Sequence, residues 1–452
     1  MNGPAAAESR LFDAIVIGGG LAGLSSARRL KEAGASVVVL EARGRIGGRV
    51  HSQRLNTGQM IDLGAQFIGG SQRRISALVD EVGLTRVSPH TIGDNVFLMS
   101  PDAEPVLKRG DGLPLSLFGR LDALIAMWRL DRMLRSFRTN VERLDGLVAS
   151  EFLREMTFTR QAADFLAAYT EGEMCASLHD FSAYELLDQL ASTSGADGEK
   201  SSAQWYLAEG TEALAHHLAA RLCDALVLNA PVTNIQRHGE WVTAVATTGV
   251  YRARHLIVAV PPQLYEDVGL LGLLTEKRRK VIAGYMHGKV IKTILVFETP
   301  WWRDLGACGR VLSPDSFFNS TIDSSPANGS VGILVLFSTA ASAIHLGRMA
   351  AEGDRIAKAV AWLRTLSDRS IPEPIAARSI DWNADSYSLG GYASHRGMGG
   401  WGLVPDLFAP VHRVHFAGTE TAAEWRSFME GALQSAERAA DEVLAEMTLD
   451  GS

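Results

Sequence analysis

Gly18, Gly20 and Gly23 stand in a G-x-G-x-x-G spacing, and Glu41 follows 18 residues after the last of them. Each residue type has a task if a phosphate-bearing ligand lies here. The first glycine permits a tight turn, the second lets the backbone approach a pyrophosphate, and the third lets a helix pack closely on a strand. Glu41 is placed to accept a hydrogen bond from a ribose hydroxyl, and its charge disfavours a 2'-phosphate, which argues against NADP. Arg43, Arg45 and Arg49 follow at once and put three cations beside the phosphates. The pair Gly47-Gly48 lets backbone come close to a flat or charged ligand. DLGAQFIGG at 62–70 adds further glycines around a short apolar stretch.

A glycine triplet alone is a weak signal, so its setting decides. LFDAIVI at 11–17 reads as a strand, residues 24–34 as a helix closed by Gly34, and ASVVVL at 35–40 as a second strand. That is a βαβ unit, with the helix N-terminus turned toward the phosphates. An NAD domain of this type usually continues into another crossover; here the second strand runs into the Gly/Arg-rich loop. Further on, helices are expected over 71–83, 112–148, 161–190, 211–225, 353–368 and 428–447. A β-meander is expected at 227–260, strands at 290–297, 331–337 and 414–419, and a polar loop at 191–204.

The 452 residues suffice for two or three domains. Lys+Arg 44 against Asp+Glu 51 gives a net charge of -7, unsuited to wrapping nucleic acid. Cys175, Cys223 and Cys308 are too scattered for a disulfide framework or a Cys-rich zinc site and fit a reducing cytoplasm. MNGPAAAESR has no apolar signal core, and the longest uncharged stretch, Ser324 to Ile344, is broken by Pro326, Asn328 and Gly329. A soluble protein with no membrane partner is expected. His216-His217 read as a helix surface. His412 and His415 read as facing opposite sides of a strand, with no carboxylate cluster beside either pair, so no metal is expected. The arginine-rich helix around Trp128 reads as a solvated face rather than a membrane or partner surface.

The blocks VIGGGLAGLSSARRL, VVVLEARGRIGGRV, DLGAQFIG, IVAVPP, HGKVIKTILVFETPWWR, SYSLGGYA and HFAGTETAAEWRSFMEGALQSAERAA resemble the flavin-containing amine oxidase family, the monoamine and polyamine oxidases. They run from residue 15 to the C-terminal helix. The resemblance implies an α/β plus α+β fold: a Rossmann-like FAD-binding domain of the glutathione-reductase kind and a discontinuous mixed-sheet and helical substrate domain. It divides the chain into an FAD domain of 1–86, 216–281 and 385–452 and a substrate domain of 87–215 and 282–384. It puts Glu41 on the adenosine ribose, Arg43 and Arg49 by the pyrophosphate, and the Val232 backbone near the adenine. Gly48, Gly64, Ala65, Gln66 and Phe67 would border the cofactor. So would Trp382, Tyr387, Gly418, Glu420 and Met429.

A lysine in a strand ordinarily faces solvent, but HGKVIK matches the segment whose lysine reaches flavin N5 through a water, which implies an active-site role for Lys292. Tyr392 and Phe428 match the two aromatics that flank the amine, one of them phenylalanine where the familiar pattern has a second tyrosine. Gly391 stands where mitochondrial-type relatives carry the cysteine that links FAD, so noncovalent FAD is expected. The implied reaction takes hydride from the carbon α to a neutral nitrogen, gives an imine that hydrolyses to aldehyde or ketone, and reduces dioxygen to hydrogen peroxide. A small primary or cyclic amine is the expected substrate. A diamine or polyamine, with Glu209 or Glu212 as second anionic contact, and a nicotine-like heterocycle are alternatives. An amino-acid oxidase would need a carboxylate-binding arginine, which the sequence does not single out. A non-catalytic FAD scaffold or a demethylase-like chromatin module is the rival of another class, opposed by the acidic charge and the lack of an inserted coiled coil. A homodimer is the common outcome for such enzymes.

Overall fold

The computed structural model describes residues 11–100, 104–110, 112–194, 203–367 and 369–450. The first ten residues, most of the loop expected at 191–204 and the side chain of Cys223 lie outside the described set.

Two seven-stranded sheets organise the chain. The first takes β1 (Leu11–Ile17), β2 (Val37–Leu40), β5 (Leu226–Val227), β6 (Val232–His238), β7 (Trp241–Ala246), β8 (Gly249–Val258) and β14 (Val414–Phe416). The second takes β3 (Asp94–Phe97), β4 (Val106–Arg109), β9 (Val290–Phe297), β10 (Ala307–Leu312), β11 (Ser320–Asp323), β12 (Gly332–Thr339) and β13 (Ala376–Asp381).

In the first sheet β1 lies between β2 and β8, and β5 and β14 extend it, all parallel. The Val/Ile/Leu runs of β1 and β2 are buried on both faces, as a parallel sheet between helices requires. One crossover is α1 (Leu21–Glu32); the C-terminal helix α7 (Met429–Asp450) packs beside it, and Ser26 Oγ donates to Ala436 O at 3.3 Å. The expected meander is present as β6–β7–β8.

The second sheet runs β13–β9–β12–β11–β10–β3–β4. Every residue of β9 is buried. Alternation sends Ile291, Leu295 and Phe297 into one core with Trp302 and Leu334, and Ile294 and Val296 into another with Leu55, Ile61 and Leu63. Lys292 has the parity of Ile294 and therefore faces the segment around residue 62.

Two expected helices are broken. Residues 112–148 form α3 (Leu117–Leu134), a 3-10 turn at Phe137–Asn140 and a short helix at Val141–Asp145. Residues 161–190 form α4 (Arg160–Met174) and α5 (Ala183–Ser194), because Cys175 takes a left-handed φ of 52° that no glycine or proline announces. The helix around Trp128 is exposed, as a solvated face would be, but the exposed row is apolar. Leu117, Phe118, Leu121, Leu124, Met127 and Trp128 are 55% to 80% exposed. No helix among the described residues is long and apolar enough to cross a membrane.

Candidate active site

The glycine motif sits where β1 turns into α1. Gly18 has a φ of +106°, and a Cβ there would meet Ala259 O at 2.8 Å. A Cβ on Gly23 would lie 1.9 Å from Gly18 O. Gly20 precedes the helix; its Cβ would meet nothing nearer than Gly47 O at 3.9 Å. Helix α1 begins with no side-chain cap and no acidic residue in its first turn. An uncapped, buried helix start beside open room fits a phosphate. Glu41 is buried at the end of β2, accepting from Gly19 N at 2.6 Å and Arg43 N at 2.9 Å. Val232 opens β6 two residues after Ala230, whose N–H donates to Glu41 O at 2.9 Å. The residues present therefore fit an adenine dinucleotide along this edge.

The arginines are matched by carboxylates. Arg43 pairs with Asp385, donates to Ser388 Oγ at 2.8 Å, and lies 5.2 Å from the Tyr387 ring centre. Tyr387 itself is exposed. Arg49 donates to both oxygens of buried Glu420, at 2.6 and 3.1 Å. Burial pushes the Glu420 carboxyl up, but Arg49 outweighs it and holds the group below its usual range. Gly48 has a φ of +60° and approaches Gly20 Cα, a Cβ there standing 3.3 Å from it. Gly418, with a φ of +119°, turns β14 toward Glu420 and donates its N–H to Ser435 Oγ at 3.0 Å. Met429 is the buried first residue of α7.

Lys292 is buried on β9. Its Nζ donates to Asp62 O at 2.5 Å, Gly64 O at 3.0 Å and Gln66 Oε1 at 2.9 Å. A Cβ on Gly64 would lie 2.1 Å from Arg49 O, so this loop is pressed against the Arg49 turn as Ala65 N donates to the same carbonyl at 3.0 Å. Trp382 Nε1 donates to Leu63 O at 3.0 Å from the other side. Gln66 is held by Ser324 at 3.2 Å, and Phe67, the next residue, is half-buried. Burial lowers the Lys292 pKa to about 8, with Asp62 pulling it upward. Asp62 is itself pushed up by burial, against Lys292, Ser52 and Thr211.

Tyr392 is half-buried and its hydroxyl donates to Gly172 O at 3.2 Å. Burial, then the Cys175 thiol and the Glu173 carboxylate, push its pKa well above the phenol range. Phe428 meets Trp425 edge-on at 5.2 Å and 87°, not Tyr392. Trp425 and Ser427 both have positive φ, and a Cβ on Gly431 would lie 2.3 Å from Trp425 O. The loop that sets the Phe428 ring is thus held in strained backbone.

Sequence reasoning missed His287. It is buried, with Nδ1 3.1 Å from Ser394 Oγ and Nε2 without a hydrogen-bond partner. Burial and Arg49 lower its pKa to about 3, so it is a neutral ring. The two glutamates offered as a second anionic contact for a diamine already have protein partners. Glu209 accepts from Thr85 N and Oγ1 at 2.9 and 2.8 Å, and Glu212 from Ser52 N at 2.7 Å beside His51. Both are tied to backbone by their own neighbours.

The reading of His412 and His415 also changes. His412 sits in a turn at φ 55°, while His415 is buried on β14 with Nδ1 3.0 Å from Glu442 Oε2. His255 lies beside it, 3.3 Å from Glu446 Oε2, with Arg413 Nη1 at 3.2 Å from its other nitrogen. Carboxylates do accompany this pair, because Glu442 and Glu446 project from one face of α7. His217, on α6 (Glu212–Ala220), pairs with Glu81 at 2.9 Å.

The family description "Flavin containing amine oxidoreductase" matches residues 21–444. A flavin-containing monoamine oxidase homologue of Mycobacterium tuberculosis is 30% identical over 445 residues, covering 96% of each chain. Amine oxidase [flavin-containing] B of Sus scrofa is 28% identical over 459 residues, covering 96% of this chain and 86% of its own length. Among solved structures, a putrescine oxidase bound to putrescine superposes with a TM-score of 0.88 at 25% identity, over 96% of this chain and 99% of that one.

Proposed function

The chain belongs to the flavin-containing amine oxidoreductase family, and from that premise we propose that it is an FAD-dependent oxidase of a small primary or cyclic amine. The observation that carries this reading is Lys292: a lysine buried in β9 and held by two carbonyls and Gln66. The buried Asp62 carboxylate supports its charge, yet its ammonium donates to none of that carboxylate's oxygens, an unusual setting for a lysine that serves the fold alone. FAD, when bound, supplies the two-electron chemistry that turns an amine into an imine and dioxygen into hydrogen peroxide.

The chain's own residues prepare that chemistry. The glycine turn and the N-terminus of α1 bind the pyrophosphate, Glu41 takes the ribose, and Val232 borders the adenine. Arg49 and Glu420 neutralise one another, so they brace the two segments of the cofactor domain rather than adding net charge. Lys292 fixes one positive charge, at neutral pH, above the 62–66 loop, where charge that develops during oxygen reduction would be stabilised. Tyr392 and Phe428 present the ring faces between which the substrate nitrogen is oriented as a neutral amine. Gly64, Ala65, Gln66, Phe67, Trp382, Gly418 and Met429 shape the wall behind them. Residues 1–86, 216–281 and 385–452 form the Rossmann-like cofactor domain in this reading, and the remainder the substrate domain. With glycine at 391, the cofactor is held noncovalently.

Purified protein, precipitated with acid, is expected to release free FAD to the supernatant. Before precipitation it should yield one peroxide per amine consumed. Colour kept in the pellet contradicts noncovalent binding, and FAD without peroxide from any amine in a broad panel supports the scaffold alternative.

A further inference from the structure

The last turn of α4 carries a carboxylate with no partner of its own. Tyr169, Gly172 and Glu173 share one face of that helix, at i, i+3 and i+4. This is the face that meets Tyr392, since Gly172 O accepts the Tyr392 hydroxyl at 3.2 Å. A Cβ on Gly172 would find no atom within 4 Å, so the face opens onto free space. Tyr169 and Glu173 are both exposed to solvent. Yet burial is the first cause that raises the Glu173 pKa, and the Glu173 charge is the first cause that raises Tyr169 to about 12. The Glu173 charge also acts on the Tyr392 phenol, so this accessible carboxylate lies beside that ring. Among the described residues Glu173 makes neither a hydrogen bond nor an ion pair. Arg310, exposed on β10, pulls its pKa the other way but is not at ion-pair distance.

We propose that Glu173 is an anionic subsite for a second, non-reacting ammonium of the substrate, so that α,ω-diamines are taken in preference to monoamines of equal length. This rests on the amine-oxidase reading above and adds the substrate class. The ring faces at Tyr392 need a neutral nitrogen, whereas a desolvated carboxylate one residue beyond Gly172 needs a cation. A diamine meets both demands along one chain. Glu209 and Glu212 cannot serve, because Thr85 and the His51–Ser52 segment already occupy them. Arg310 offsets the Glu173 charge from beyond ion-pair distance, which leaves the contact position to a substrate ammonium.

Wild type, Glu173→Gln and Arg310→Gln are compared on butylamine, 1,4-diaminobutane and alanine, with FAD content measured for each. Wild type is expected to favour the diamine over butylamine in kcat/KM. Glu173→Gln should lower diamine kcat/KM by about 10- to 100-fold, the worth of one charge-assisted hydrogen bond, through KM, and leave butylamine within about threefold. Arg310→Gln should lower the diamine KM. Equal loss for both amines in Glu173→Gln, or no loss, overturns the subsite. So does alanine oxidation that Arg310→Gln abolishes, because Arg310 rather than Glu173 then holds the substrate's second charged group. Failure of all three substrates and of every other amine to reduce the bound flavin defeats the amine-oxidase reading instead.

Discussion

Replacing Lys292 by methionine separates what the buried ammonium does for the fold from what it does for turnover. The pKa falls from 10.5 to about 8, which disfavours the charged form in the folded chain by about 3 kcal/mol. Methionine removes that cost at neutral pH. It also leaves Asp62 O, Gly64 O and Gln66 Oε1 without their donor, at about 1 kcal/mol or more each. The two contributions nearly cancel, so the variant is expected to fold with stability near wild type at pH 7. The pH dependence has a definite sign. The folded pKa lies below the unfolded one, so between about pH 8 and 10.5 the unfolded chain holds a proton that the folded chain has released. Wild-type stability gains from this group as pH rises through that window, and the gain is absent below it. Denaturant unfolding of the two proteins at pH 7 and near pH 10 should therefore show their difference move toward wild type by about 2–3 kcal/mol. In stopped-flow, reoxidation of the reduced cofactor by oxygen should slow by about 10²-fold, with anaerobic reduction by amine changed far less. A stability difference that is flat with pH, together with wild-type reoxidation, refutes the placement of a charged Lys292 at the reacting centre.

Gly23→Ala puts a methyl 1.9 Å from Gly18 O, so the βα turn must open. FAD content should collapse, with a loss of about 1–3 kcal/mol in stability, read by thermal unfolding of the apoprotein. Tyr392→Phe loses the hydroxyl's bond to Gly172 O, worth about 1 kcal/mol, and its contact with the Cys175 thiol, and should keep most of its anaerobic reduction rate. Tyr392→Ala removes a ring face and should slow that rate by about 10²-fold while FAD is retained; equal rates for the two variants would make Tyr392 a packing residue. Buried Glu430 accepts from Ile75 N at 2.8 Å and Arg74 N at 3.1 Å at the start of α2 (Arg73–Val82). Glu430→Ala should cost about 2 kcal/mol in denaturant unfolding with activity per bound FAD unchanged.

What the sequence displayed were features whose reasons are local. The turn at Gly18–Gly23 and the acid at Glu41 are imposed by one strand, one helix and the next strand, so their geometry can be read from spacing. The parity of β9 likewise fixes which way Lys292 faces once the strand is identified. Features set by distant partners were not legible. Glu209 and Glu212 look like free acids until Thr85 and Ser52 come against them from other segments. Glu173 looks like one more polar residue of a helix until Tyr392, more than two hundred residues away, closes on Gly172. The break at Cys175 has no composition cue, because an ordinary side chain takes the left-handed conformation and is held there by Lys289 N donating to its carbonyl at 2.7 Å. The apolar row on α3 was obscured by its arginines, which in sequence resemble a solvated face. His415 met its carboxylates only when α7 folded back along β14.

The central claim is that this chain passes electrons from an amine to a bound flavin. Anaerobic titration of the purified holoprotein tests it directly, following the visible flavin absorbance as 1,4-diaminobutane, butylamine and cyclohexylamine are added in turn. At least one of them is expected to bleach the full flavin absorbance, and admitting oxygen is expected to restore it with release of peroxide. Flavin that stays oxidised under every amine tried, in protein fully loaded with FAD, contradicts it.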